Sequence, residues 1–448
     1  MPLPRACLPF SAPSAAAKRA DAIAELAADP SSSLRSLPLA ASDDDDSASL
    51  LTCPSLPSLR SSLIPSSCSS CSPSSASFAY LTSLRPAVGP SSSASASASA
   101  SAVSAAAALA SSPASLLLYC ATPSEICIYD LRGLRPIQTV AASPSAGALK
   151  SVALLPDGRR ALTAHQDGRV RVWRRSGRSG RLRLAAALPT VPDRVRRLPL
   201  PGSYVRVRRH RRRLWIEHAD AVSAVAAAAA GDLLYSSSWD KTLKIWRAAD
   251  LRCVESLAAH DDAVNAVAVA PDGEVFTGSA DGSIRVWARG ERRHALVATL
   301  ERHASAVNAL AIGGGGGDEA GAVLYSGSND RSILVWEKEG GRMAAVGALR
   351  GHEKAVLCVA CVGNVVFSGS ADRTVRIWRR GGSEHGCLGV LIGHSSAVRS
   401  ITAVRTPPPE EEYRVCSASL DGEVRVWRVR VSALDWGIPS DPTLPRKV

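Results

Sequence analysis

The sequence predicts an all-β protein assembled from repeated units of short antiparallel strands, preceded by a long arm with no core of its own. Three observations carry that expectation. An aspartate stands six residues ahead of a tryptophan in six places, and a histidine stands four residues ahead of a valine in five. Between these markers apolar and polar residues alternate with a period of two, the pattern of half-buried strands.

Taken in chain order, residues 1–113 come first. Ser, Ala and Pro dominate them, as in SSSASASASASAVSAAAALASS, and large apolar side chains are too sparse to offset the conformational entropy lost on folding. This arm, with its acidic knot Asp43 to Asp46, is expected to be disordered. Arg5, Lys18 and Arg19 precede the first acid, Asp21, which faintly resembles a transit peptide, but Glu25 and Asp29 soon interrupt that pattern. The formal net charge of +13 invites a polyanion, yet only seven of the 53 basic residues are lysine. That skew, with abundant Ala and Gly, matches a GC-rich coding sequence and weakens the case for nucleic acid. Eleven irregularly spaced cysteines without a secretory signal imply free thiols in a reducing compartment, cytoplasmic or nuclear. No apolar run approaches the roughly 18 residues of a membrane helix.

From Leu116 the chain repeats itself, and repeats decide the fold. The echoes are LTAHQDGRVRVW, YSSSWDKTLKIW, FTGSADGSIRVW, YSGSNDRSILVW, FSGSADRTVRIW and CSASLDGEVRVW, ending at Trp173, Trp246, Trp287, Trp336, Trp378 and Trp427. Their aspartates are Asp167, Asp240, Asp281, Asp330, Asp372 and Asp421. Successive tryptophans lie 73, 41, 49, 42 and 49 residues apart. Upstream of all but the first unit stand His218, His260, His303, His352 and His394. Asp-Gly or Asp-Arg between two alternating runs marks a tight hairpin turn. GGGGGDEAG and RTPPPEEEY fall between the first and second strands of a unit and are expected to be surface loops. The glycine run lacks the Gly-Lys-Ser/Thr ending of a phosphate loop.

These units resemble WD40 repeats over about 320 residues, although the residue after each tryptophan is Arg, Ala or Glu rather than Asp. The run RHRRRLWIEHADAV, then SWDKTLKIWRAADLRC, then HDDAVNAVAV, is similar to plant WD40 proteins of the JINGUBANG type. The resemblance implies a β-propeller over residues 114–436 with a tail at 437–448. LLLYCATPSEICIYDLRGL offers a degenerate blade with Tyr129 in place of the tryptophan, making seven. Its missing strand is expected from RVRVSALDW after Trp427, which would pair the chain ends and leave no open edge. The resemblance also assigns histidine, hydroxyl, aspartate and indole to a structural hydrogen-bond chain in each blade: His260, Thr277, Asp281 and Trp287; His303, Ser326, Asp330 and Trp336; His352, Ser368, Asp372 and Trp378. Incomplete sets are His218, Asp240 and Trp246, and His394, Asp421 and Trp427. The first tryptophan unit, with Ser145 aligned to His260, is expected to be held more loosely.

Repetition argues against catalysis, since one active site needs no copying. No nucleophile elbow, metal-ligand pair or phosphate loop is present, and no catalytic residue, metal, cofactor or small-molecule substrate is expected. The leading expectation is a non-enzymatic scaffold or regulatory adaptor for proteins. The plant resemblance implies a regulatory role, with pollen development a weak association. Its candidate partner surface is Trp239, expected near the mouth of the ring, together with Arg208, Arg209, Arg211, Arg212 and Arg213. The arginine run is expected on or beside the outermost strand of the first tryptophan-containing blade. Its readings are a solvated edge, a site for an acidic partner such as a transcriptional regulator, or an import signal or nucleic-acid contact. A second function is substrate receptor of a cullin-type ubiquitin ligase, because Tyr129, Asp130 and Arg132 resemble the docking box of such receptors. A nuclear nucleic-acid-associated adaptor comes third.

Overall fold

A computed structural model of the chain describes residues 58–59, 76–84, 108–123, 125–141, 147–208, 211–291, 293–314, 322–381, 384–406 and 412–431. They form seven four-stranded antiparallel blades of a β-propeller. Blade 1 spans 108–141, blade 2 149–188, blade 3 222–258, blade 4 264–301, blade 5 307–349, blade 6 356–391 and blade 7 398–431 plus 76–84. The first strand of each blade packs on the first strand of the next. The last of these, Val398–Arg405, meets Ala108–Ser112 of blade 1, so the ring closes.

Each strand's composition follows from its place in a blade. Second strands such as VLYSGS (Val323–Ser328) and VVFSGS (Val365–Ser370) are buried at every residue, because adjacent blades cover both faces. Small residues are required there. A Cβ on Gly278, Gly327 or Gly369 would lie 2.7, 2.7 or 2.6 Å from a methyl of Val307, Val356 or Val398 at the head of the following blade. Fourth strands form the rim and are the most exposed, as in His294–Glu301, where five of eight residues are exposed. The hydrophobic core is a set of wedges between neighbouring blades. One joins Tyr235, Leu243 and Ile245 of blade 3 to Val264, Val275 and Trp287 of blade 4. Blade 1 builds its four strands in sequence, with Tyr129 buried where other blades place tryptophan.

The blade that borrows a strand is the last. Its outer strand is Ala76–Leu84, antiparallel to Val424–Val431 with Tyr80 opposite Trp427 and Leu84 opposite Val424. The closing strand was expected from RVRVSALDW. Val429 to Val431 instead finish the third strand, and residues 432–448 lie outside the described residues. The N-terminal strand occupies that edge because ASFAYLTSL supplies rings where the edge needs them. Tyr80 stacks edge-on against Trp427 at 5.5 Å, and the Phe78 ring lies over Gly389 of blade 6, leaving no room for a Cβ. A two-residue strand, Ser58–Leu59, runs parallel to Ala348 and Leu349 on the rim of blade 5. Residues 1–113 thus contribute Ala76–Leu84 and Ala108–Ser112 to the propeller, whereas the acidic knot Asp43 to Asp46 lies outside the described residues.

A second departure concerns the arginine run. The rim strand of blade 2 is Leu182–Leu188, paired with Val170–Arg175. The arginines belong to an insert between that strand and blade 3: a short helix, Val191–Arg197, a 3-10 turn, Pro201–Ser203, and a separate hairpin, Tyr204–Arg208 with Arg211–Leu214. Leu188 already completes the four-stranded sheet, so the chain must loop outward before returning to His218.

Candidate interaction surface

The histidines sit in loops that lead from one blade's rim strand into the next blade's first strand. The aspartates sit in the turn between second and third strands. Both sets lie at the same end of the blades, so each loop touches the turn of the blade it enters. In blade 4, His260 Nδ1 is 3.0 Å from Asp281 Oδ2 and Nε2 is 2.8 Å from Thr277 Oγ1; the Trp287 indole donates to that oxygen at 3.0 Å. In blade 5 the corresponding distances for His303, Asp330, Ser326 and Trp336 are 2.7, 2.7 and 2.8 Å. In blade 6 they are 2.8, 2.8 and 2.9 Å for His352, Asp372, Ser368 and Trp378. In blade 3 His218 reaches Asp240 at 3.2 Å and Ser236 at 2.8 Å, and Trp246 donates to Ser236 at 2.9 Å. The Ser236 hydroxyl was the member missing from that set in the sequence reading.

The order of protons along such a chain is fixed by its ends. An indole can only donate, and a carboxylate can only accept. The indole N–H therefore donates to the hydroxyl, the hydroxyl to Nε2, and Nδ1–H to the carboxylate. Both imidazole nitrogens are used, and the histidine side chains are 0–1 % exposed in blades 3 to 6. Burial alone would raise the Asp240, Asp281, Asp330 and Asp372 carboxyls. Bonds from the histidine and from Thr242, Ser283, Ser332 or Thr374 instead hold them well below the usual carboxylate range. In these four blades the histidine, hydroxyl, aspartate and indole are bonded to one another within the frame.

Two blades depart from the pattern. In blade 7 His394 Nε2 bonds Ser417 at 2.7 Å and Trp427 donates to Ser417 at 2.9 Å, but Asp421 turns to the Ser395 and Ser419 hydroxyls and His394 Nδ1 has no partner. Ser395 competes successfully for the carboxylate because it neighbours the histidine in the same loop. In blade 2, Ser145 lies outside the described residues, and a histidine missed in the sequence fills the relay from within the second strand. His165 Nε2 is 2.8 Å from Thr163 Oγ1, which accepts from Trp173 at 2.8 Å. Asp167 pairs with Arg171 at 2.8 Å instead. The signal was visible, since His165 stands where the other units carry Ser238, Ser279, Ser328, Ser370 and Ser419. Burial pushes His165 and His394 down to about 4.

The relay face also carries Trp239. It is half-buried, its backbone N–H donates to Ala221 O at 3.1 Å, and Lys150 Nζ of blade 2 sits 4.7 Å over its ring. Burial lowers the Lys150 ammonium, with nearby Arg399 adding to the effect. The arginine insert is anchored through its polar groups. Asp193 is 3 % exposed, accepts from Cys253 N at 3.2 Å and meets Arg197 at 3.4 Å. Arg197 lies 4.3 Å over the Trp215 ring, Lys244 donates to Trp215 O, and Arg213 donates to His218 O at 2.7 Å. Arg212 is exposed. Arg209 and the side chains of Arg208 and Arg211 lie outside the described residues. Tyr129 is buried, Arg132 is exposed, and Asp130 accepts from the Arg132 and Gly133 amides at 3.1 and 3.3 Å. Among the described residues no group of three or more His, Cys, Asp or Glu is placed to hold a metal, and no helix is long and apolar enough to cross a membrane.

Comparison with known proteins agrees with this geometry. The family model described as WD domain, G-beta repeat matches residues 134–174, 210–247, 251–288, 294–337, 344–379 and 385–428, just over half of the chain. Curated relatives match shorter stretches. Small ribosomal subunit protein RACK1 of Neurospora crassa is 33% identical over 75 residues, 16% of this chain and 24% of that protein. Small ribosomal subunit protein RACK1y of Oryza sativa is 38% identical over 55 residues, 12% and 16% respectively. A WD repeat-containing protein of Schizosaccharomyces pombe is 31% identical over 78 residues, 17% and 21%. The chain spans a quarter or less of each of these relatives.

Proposed function

Because the chain belongs to the WD40 repeat family, we propose that it is a non-enzymatic scaffold that presents loops and inserts of a rigid ring to partner proteins. The observation that carries this reading is the use of the His–Asp pairs. Chemistry-bearing residues recur around the ring, and in blades 3 to 6 both imidazole nitrogens are spent on bracing the frame. What varies between blades is the surface: Trp239 with its lysine cover, and the 29-residue excursion 189–217. Surface variation on a constant frame is how one fold serves different partners.

The finer reading is a plant regulatory adaptor, cytoplasmic or nuclear, controlling growth or pollen development through such partners. It is supported by the JINGUBANG-type resemblance of the segment 209–269. A second reading, substrate receptor of a cullin-type ligase, has one observation in its favour: Arg132 is exposed on a turn pinned by Asp130. Proximity labelling of the intact protein tests both. A reproducible set of neighbours that shrinks when Trp239 is replaced by Ser supports the scaffold. Recovery of the ligase adaptor, lost on Arg132→Ala, would favour the second reading. Turnover of a small molecule by the purified ring would overturn both.

A further inference from the structure

We propose that the mouth of the ring at its relay face receives a carboxylate side chain of a partner protein between Lys150 and Arg399, beside the Trp239 indole. The proposal rests on the scaffold reading and gives it a contact point. The first strands pack on one another around the ring, and in six blades the second residue of that strand is an extra one. It falls out of register as a β-bulge, directly after the residue at the strand's head. The six bulge residues are Lys150, Ser223, Asn265, Asn308, Leu357 and Arg399. A bulge re-aims one side chain while its neighbours stay paired. Three consecutive blades show where the re-aimed group goes. Ser223 donates to Val264 O at 2.5 Å, Asn265 to Val307 O at 3.1 Å and Asn308 to Val356 O at 2.9 Å. Each bridges to the head of the next blade's first strand and so spends its donor on the frame.

Lys150 and Arg399 break that rule. Among the described residues, neither side chain makes a hydrogen bond or an ion pair. Lys150 reaches forward to the next blade as the others do, but its ammonium rests 4.7 Å over the Trp239 ring. Arg399 stands on the other side of blade 1, close enough that its charge weighs on the Lys150 ammonium. Arg399 is open to solvent yet ringed by protein, and desolvation lowers both cations from their usual ranges. One acid, Asp220, counters Lys150; its Oδ1 accepts from the Ala221 amide at 2.7 Å, and it forms no ion pair with the lysine. Among the described residues no carboxylate offsets Arg399. Like charges held together in a partly dehydrated site disfavour one another, and an incoming anion relieves both. Donor number then selects a carboxylate. One ammonium and one guanidinium meet its two oxygens, whereas the hydroxyl and amide donors that a phosphate's third oxygen needs are bound to the frame. Nucleic acid needs an open aromatic face, and the half-buried Trp239 is covered by Lys150.

The test probes the full chain with cellulose-bound arrays of nine-residue peptides. Each array fixes the central residue as Glu, Gln, Arg or phosphoserine and randomises the others without Asp, Glu or Cys; a single-stranded DNA 20-mer is a further probe. The parent is expected to be retained on the Glu array about tenfold more than on the Gln array. Arg399→Met should cut that ratio about threefold, and Lys150→Met with Arg399→Met should bring it within about twofold of parity. Lys150→Glu with Arg399→Glu should turn the preference to the Arg array. Neither cation holds another group, so the methionine variants should melt with the parent; where the double variant does not, Arg399→Met, at a position open to solvent, decides. A parent that does not prefer Glu to Gln, a preference that survives loss of both cations, or stronger retention on phosphoserine or DNA overturns the proposal. Proximity labelling with the double methionine variant separates the two claims. An unchanged neighbour set leaves the scaffold standing and removes this site.

Discussion

Ser326→Ala should be among the most damaging single-atom deletions available in this ring. The hydroxyl is fully buried and serves two partners, the Trp336 indole at 2.8 Å and His303 Nε2 at 2.7 Å. Alanine fits the space but leaves a donor and an acceptor unpaired, with no route for water. At about 1–3 kcal/mol for each of the two stranded groups, the loss is about 2–6 kcal/mol, a large share of ordinary domain stability. The assay is urea denaturation followed by tryptophan fluorescence, comparing the denaturation midpoint with that of the parent and of Ser179→Ala on an exposed turn. Trp336→Phe combined with Ser326→Ala removes the donor too, and should recover part of the loss. A midpoint within error of the parent, or a double variant that is fully additive, would refute the proton order assigned to the relays.

Asp281→Ala should destabilise more than Asp167→Ala by about 1–2 kcal/mol, because the first strands buried His260 and the second breaks a partly exposed arginine pair; thermal melts of the two variants check the ranking. Stability should fall on acidification in two stages. His165, His385 and His394 have folded values lowered to about 4, so their contribution is complete above the unfolded value near 6.5 and is lost as the unfolded chain takes up protons below it, about 2 kcal/mol each by pH 5. The relay carboxylates, depressed in the fold, contribute fully above about pH 4 and fail only below it. Denaturation midpoints from pH 7.5 to 3 check both stages, and a His165→Asn variant should flatten the first. Gly389→Ala should push Phe78 off blade 6 and loosen the closing strand, costing about 1–3 kcal/mol and speeding amide exchange in residues 76–84.

The repeating frame was legible because the same side chains meet the same neighbours in each blade, so the fixed offset from Asp to Trp reports geometry directly. What escaped detection lacked that repetition. The closing strand ASFAYLTSL lies in Ser/Ala-rich sequence and has only Phe78, Tyr80 and three leucine or threonine neighbours to announce it; its partner is over 300 residues away. His165 escaped because it stands in a strand position that the other units fill with serine, not in the loop where their histidines lie, although its ring reaches the same hydroxyl position that a loop histidine would. The arginine run was read against a generic rim strand, and an insert follows no register. Asp421 matched its column by position, yet a neighbouring hydroxyl, Ser395, captured it.

The closing strand has a consequence for the order in which the protein can mature. Ala76–Leu84 leaves the ribosome before its partner Val424–Val431, which emerges about 340 positions later. At roughly 5–20 residues per second, that edge waits tens of seconds while six blades accumulate as an open arc. Throughout synthesis the arc offers a free sheet edge to other nascent chains. Only the arrival of Val424–Val431 supplies the surface that seals it.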